Sequence, residues 1–167
     1  KNVGNRLFTS NNTLKALVID SVEKRPLFHF HPGTKSLSIS GDAQENWRIE
    51  HDRLPKVGRS MTPEQVVKMA EKEGVHAISY TYNEPTLFFE YIYKVAKLAC
   101  RSNIKNILST TGVITEEAIK RLAKFLDAAV VNFKASGNPE FMASHQIIKN
   151  PNPIFAALKQ MKKQRVH

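Results

Sequence analysis

The feature that most constrains this chain is an alternation that sets in near residue 37. Short strand-like runs take turns with segments that carry helix signals. The runs stand at Leu37-Ser38-Ile39, His76–Tyr80, Ile104–Leu108 and Ala128–Phe133. Between them, Thr62-Pro63-Glu64-Gln65 opens a helix. Thr62 is placed as N-cap, Pro63 fits the first helical position, and Gln65 can close a capping box. Val66, Val67, Met69 and Ala70 give this helix an apolar face, and Gly74 ends it. Leu87, Phe88, Tyr91, Val95 and Leu98 recur at three- and four-residue steps, which predicts a strongly apolar helix over Thr86–Cys100. Thr115-Glu116-Glu117 starts another, running to about Phe125, with acids where the helix dipole favours them. Asn138-Pro139 and Asn152-Pro153 read as two further N-cap/Pro starts. They lead into a short helix and a basic one, from Ile154 to about Lys163.

Strands separated by helices require a parallel sheet with right-handed crossovers. The expected fold class is therefore α/β, a partial (β/α) barrel of about four parallel strands. A small antiparallel β unit in residues 1–36 precedes it, built from Leu7-Phe8-Thr9, Leu14–Ile19 and Leu27–Phe30. Ser10-Asn11-Asn12 splits the first two runs, and Pro32-Gly33 ends the third. The 167 residues fit one domain, with 37–167 forming the βα units. A hydrophobic share of 41% excludes wholesale disorder. No apolar run approaches the roughly 18 residues that span a bilayer, so no membrane partner is expected. The chain has one cysteine, Cys100, which excludes an internal disulfide and any all-cysteine metal site within one chain. Cys100 reads as a small buried hydrophobe on the core face of its helix. The expected setting is reducing and cytoplasmic. Lys1-Asn2-Val3-Gly4-Asn5 carries no signal-peptide pattern and no initiating Met.

Charge is uneven. The net charge is +10, and residues 120–167 carry +7 of it, from nine Lys and Arg against Asp127 and Glu140. Such an end can bind nucleic acid or another anion, or it can simply face water.

Parallel α/β folds bind ligands at the C-terminal ends of their strands. That places candidate chemistry at Ser40-Gly41-Asp42, Thr81–Pro85, Ser109–Gly112 and Asn132–Gly137. The candidate pocket is Asn83, Glu84, Thr110, Asn132 and Lys134. A carboxylate, a cation and several hydroxyl and amide groups on one rim suit a zwitterion such as an amino-acid moiety. The competing reading pairs Glu84 with Lys134 or with capping groups. His29-Phe30-His31 would put two imidazoles on one strand face, the start of a metal site without a third ligand. Tyr80-Thr81-Tyr82 offers rings for stacking or for packing. Neither a Gly-rich phosphate loop nor a nucleophile elbow occurs.

Several of these stretches resemble one family. Val22–Gly33 looks like the segment before the first barrel strand in radical SAM proteins related to the pyruvate formate-lyase activating enzyme, including the AmmeMemoRadiSam type. Tyr80-Thr81-Tyr82-Asn83-Glu84-Pro85-Thr86 with Phe88-Phe89-Glu90 is similar to its second-strand motif, Thr111–Thr115 to its third-strand T-N-G-x-I-T, and Asn132-Phe133-Lys134 to its fourth-strand D-L-K. The resemblance implies a six-unit partial barrel, of which this chain holds about four units. It also implies three cysteines in C-x-x-x-C-x-x-C after the first strand, holding a 4Fe–4S cluster that chelates S-adenosylmethionine. Here Ser40-Gly41-Asp42-Ala43-Gln44 leads straight to Glu45-Asn46-Trp47, without a cysteine. Asp42, Gln44 and Glu45 are oxygen donors and do not replace thiolates on iron–sulfur. Thr111 and Asn132 stand where the family has Asn and Asp.

Three readings follow. The first is a degenerate radical-SAM-like protein with no 4Fe–4S cluster and at most weak S-adenosylmethionine binding, acting by ligand binding or structure. The second is a nucleic-acid or anion-binding module using the basic C-terminal region. The third is an enzyme of another class, with Glu84 as base and Lys134 as anchor. The apolar run Ala128–Val131 has no fifth strand beside it, so a homo-oligomer through that open edge is expected.

Overall fold

The computed structural model describes residues 2–3, 6–7, 13–41, 58–133, 138–145 and 150–167. Phe8, Thr9, the segment 42–57 that includes Asp42, Gln44, Glu45, Asn46 and Trp47, and Lys134 to Gly137 lie outside them. Strands β1 (Asn2–Val3) and β2 (Arg6–Leu7) pair as a separate antiparallel ribbon. The main sheet has six strands, in the order Arg59–Ser60, Thr13–Ser21, Lys35–Gly41, Ala77–Tyr80, Lys105–Thr110 and Ala128–Val131. Its parallel part is β4 (Lys35–Gly41), β6 (Ala77–Tyr80), β7 (Lys105–Thr110) and β8 (Ala128–Val131). These are the four strands that the alternation predicts. Strand β3 (Thr13–Ser21) lies antiparallel to β4 and carries β5 (Arg59–Ser60) on its other side. The antiparallel strand therefore extends the main sheet.

The predicted strand Leu27–Phe30 does not form. Leu27 N bonds Arg25 O at 2.6 Å and Phe30 N bonds Leu27 O at 3.1 Å, so the chain turns twice. Pro26 and Pro32 flank the run and supply no amide for a ladder. Leu27 and Phe30 point inward together and pack with Val22 on Ala77, Ile107 and Ala128. His29 and His31 therefore never share a strand face. His31 instead lies against His76, with ring centroids 4.1 Å apart.

Helix α1 (Pro63–Lys72) begins with the expected capping box, in which Gln65 N donates to Thr62 Oγ1 and Thr62 N to Gln65 Oε1. Helix α2 (Phe89–Arg101) starts later than its apolar spacing suggests, because Pro85–Phe88 winds as a 3₁₀ turn. Its buried face is Tyr91, Ile92, Val95, Ala96 and Ala99. Cys100 is exposed. Ala99 holds the core position, and the next residue is rotated about 100° away from it. Helix α3 (Glu116–Leu122) is capped by Thr115 and gives way to a turn before Phe125. Helix α4 (Pro139–His145) follows Asn138, whose Oδ1 accepts from Glu140 N and Phe141 N. Helix α5 (Asn152–Lys163) already includes Asn152, with Pro151 at the cap position, so Asn152 is not its side-chain cap.

The helices cover one face of the sheet, where Leu37, Ile39, Ile78, Tyr80 and Leu108 form the main core with α1, α2, α3 and α5. Each large buried side chain there contributes about 1.5–3 kcal/mol. The other face carries small and polar groups, Ser36, Ser38, Ala77 and Ser79, all buried. The segment after β3 folds back over it. At the open edge, Ala129 N donates to His167 O at 2.8 Å and His167 N to Asp127 O at 3.0 Å. Backbone of this same chain thus takes up part of the edge of β8.

Candidate functional site at the strand ends

Glu84 ends the β6 segment as the cap of the 3₁₀ turn and reaches across to β7. Its Oε1 accepts from Thr86 N at 3.2 Å and from Thr110 Oγ1 at 2.7 Å. Its Oε2 accepts from Thr111 N and Thr111 Oγ1, both at 2.8 Å. Asn83 Nδ2 donates to Gly41 O at 3.0 Å, which ties the β6 end to the β4 end. The structure thus brings Asn83, Glu84 and Thr110 together, with Thr111 as a further partner. Asn132 joins through its backbone, its N–H donating to Thr110 O at 2.8 Å, while its side chain is exposed. Lys134, the predicted cation of this rim, lies outside the described residues. The Glu84 hydrogen bonds realise the capping alternative for this carboxylate, whatever Lys134 does.

Two glycines fix the rim. A Cβ on Gly41 would stand 2.6 Å from the Phe88 ring, so Phe88 can close down on the β4 end only because residue 41 has no side chain. Gly112 has φ +82°, and a Cβ there would meet Ile154 and Val131 at 2.9 Å. Glycine is what the turn after β7 requires, both for its backbone angle and for the approach of α5. The cavity among Ser40, Gly41, Thr81, Asn83, Glu84 and Phe88 measures about 10 Å³. That is room for about one water.

The sequence did not reveal a second polar cluster, on the sheet face away from the helices. Arg25 is only 5% exposed. Its Nη1 and Nη2 grip Asp20 Oδ1 and Oδ2 at 2.9 and 3.3 Å, and it also bonds Ser36 and Ser38. Ser38 Oγ and Tyr82 OH donate to Asp20 at 2.7 and 3.0 Å, and Lys24 Nζ donates to Tyr82 OH at 3.0 Å. Burial pushes the Asp20 carboxyl up, but hydrogen bonds from Arg25 and Ser38, the Arg25 charge and the Tyr82 hydroxyl outweigh it and hold it at about 2. Asp20 therefore stays ionised at neutral pH and anchors the segment that covers this face. Tyr82 adopts φ +70°, an unfavourable angle for a large side chain, and so lies over the cluster. Tyr80, by contrast, is fully buried and donates to Asn106 Oδ1 at 2.7 Å. It packs. The available signal for the cluster was the alternation Ser36-x-Ser38-x-Ser40, a polar face on a strand whose other face is Leu37 and Ile39.

A thiolate-bound cluster does not fit the donors of this chain. Its single cysteine sits on the exposed side of α2, and Asn83, Glu84 and Thr110 offer only oxygen and nitrogen.

Comparison with known proteins fits this architecture. Residues 38–167 match the Radical SAM superfamily. An uncharacterized protein of Methanocaldococcus jannaschii is 38% identical over 136 residues, covering 75% of this chain. The chain spans about 39% of that protein's length. No described helix is long and apolar enough to cross a membrane.

Proposed function

Since the chain belongs to the radical SAM superfamily, we propose that it is a cluster-free member that works by binding or structure, without radical chemistry. The observation that carries this reading is the stretch that follows β4 in the sequence, Asp42 to Trp47, which includes no cysteine. The finer likeness, through Tyr80–Thr86 and Thr111–Thr115, is to the relatives of the pyruvate formate-lyase activating enzyme. On this reading the protein acts in the cytoplasm, and its rim retains only part of a pocket for an amino-acid moiety.

S-adenosylmethionine would lose the two bonds that the unique iron supplies. Two charge-assisted bonds of about 1.5–3 kcal/mol each amount to roughly two to four decades in affinity. Glu84 is also engaged by Thr86, Thr110 and Thr111, and opening the pocket means breaking those bonds. Calorimetric titration with S-adenosylmethionine tests the reading. The expected result is binding weaker than about 1 mM. Micromolar binding that Glu84→Ala abolishes would overturn it.

A further inference from the structure

The end of the sheet opposite Glu84 carries a continuous basic surface. There, backbone bonds stitch the strand starts into one row. His76 N bonds Lys35 O, Lys105 N bonds His76 O, Asp127 N bonds Asn106 O, and His167 N bonds Asp127 O, all at 2.9–3.0 Å. Neighbouring strands stand about 4.8 Å apart, so this row is about 19 Å long. Lys35 and Lys105 belong to it. The helices end around it, presenting exposed Lys72, Arg101 and Lys124. Helix α5 adds Lys162 and Lys163, and Arg165 follows. Among the described residues these eight cations lie with Glu23, Glu71, Glu73 and Asp127, and Lys163 is also near Glu116, which Lys120 pairs. Asp127 is bonded to Lys105 and the Asn106 amide, and Glu23 to Ser21 and the Gly33 amide.

The helix dipole explains a cation in each last turn. It does not explain Lys35 and Lys105 at strand starts, nor three cations within four residues at the end of α5. Arg165 is also held at φ +58°, where α1 and α2 end with Gly74 and Asn103 at +60° and +56°. A long cationic side chain occupies a position that glycine or asparagine fills with less strain.

An aromatic ring completes the surface. Phe28 is 63% exposed, the most exposed large apolar side chain described. Its turn is fixed at this end, because Phe30 stacks on His167 and His31 lies against His76. Leu87, Phe133 and Phe155, also exposed, lie toward the opposite end. Besides Phe28, the exposed Ile19 and Val18 on β3, opposite Leu37 and Ser38, are the apolar side chains near this end, less area than a bilayer contact needs. The Phe28 ring suits stacking on an unpaired base whose phosphates run along the cations.

We propose that this surface, formed by the strand starts and helix C-termini, binds single-stranded nucleic acid, with Lys and Arg on the phosphates and Phe28 stacking on a base. Sequence preference is weak, because nothing in the arrangement reads a base edge. The test is fluorescence anisotropy of labelled 12-mers of oligothymidylate and oligouridylate across a salt series. With about four phosphates neutralised, log affinity falls against log salt with a slope of about −3. The double variant Lys162→Glu/Lys163→Glu weakens binding at least about tenfold and flattens the slope by about 1.4. Phe28→Ala weakens it about fivefold or more at unchanged slope, and Phe28→Tyr restores it. A charge-matched control at the other end, Arg59→Glu/Lys94→Glu, changes affinity by less than about twofold. Absence of binding at low salt, or an equal loss in the control, overturns the proposal. So does retention by phosphatidylserine-containing vesicles in place of oligonucleotides.

Discussion

The two ends of the parallel sheet handle polar groups in opposite ways. At the C-terminal ends, Glu84 gives both oxygens to Thr86, Thr110 and Thr111, Asn83 is tied to Gly41, and the cavity between them holds about 10 Å³. At the N-terminal ends, Lys35, Lys72, Arg101, Lys162 and Lys163 face solvent. Between the two, Arg25 and Asp20 form a buried pair that holds the covering segment to the sheet. In α/β proteins the first end is where ligands are bound. Among the described residues, Asn83 and Glu84 at that end are bonded to their own neighbours, and a row of exposed cations lies at the other.

Breaking the buried pair gives the largest effect. Asp20→Ala leaves the Arg25 charge buried without its partner and costs about 3–5 kcal/mol, read by urea unfolding. Replacing both residues with apolar side chains of similar volume costs much less. Acid probes the same pair. The Asp20 carboxyl sits at about 2, below its ordinary 3.8, so its contribution is complete above about pH 4 and is lost as pH falls toward 2. That loss is about 2 kcal/mol, and Asp20→Asn removes it from the pH–stability profile.

Next in size are the ties at the rim. Glu84→Gln turns an amide N–H₂ toward donors that now bond to a carboxylate, costing about 1–3 kcal/mol by the same unfolding measurement. Gly112→Ala meets both an unfavourable φ and the side chains of Ile154 and Val131, costing about 1–3 kcal/mol. Tyr82→Phe removes the hydroxyl that bridges Asp20 and Lys24 and costs about 1 kcal/mol.

The smallest change in stability accompanies a change in assembly. Phe155 is 44% exposed beside Phe133, with Leu158 a turn further along α5. We expect the chain to self-associate through this apolar face rather than through β8, whose edge is partly taken by residue 167. Light scattering over a dilution series should show a dimer that Phe155→Asp disperses, with unfolding free energy within about 0.5 kcal/mol of the parent. A dimer unchanged by Phe155→Asp would place the contact on the strand edge.

Much of this architecture was legible in the sequence because it is written in local signals. Thr62-Pro63-Glu64-Gln65 specifies its own capping box, and the short strand-like runs at 37, 76, 104 and 128 read as parallel strands once helices lay between them. Glu84 and Thr110 could be placed on one rim by the strand-end rule alone. What failed was set by tertiary context. Leu27–Phe30 has strand-like composition but is flanked by prolines, and its apolar groups are consumed by the inner face. Cys100 lies one residue past the last core position of α2. Asn152 lost its capping role when the helix began a residue early. The Arg25–Asp20 cluster depends on a cross-strand register and a fold-back that no local pattern reports.

Anaerobic reconstitution with iron and sulfide decides whether this radical SAM domain can hold a cluster of its own. The expected result is a desalted protein with substoichiometric iron and no charge-transfer band near about 400 nm. A stoichiometric band that dithionite bleaches, with four irons per chain retained after desalting, would contradict it.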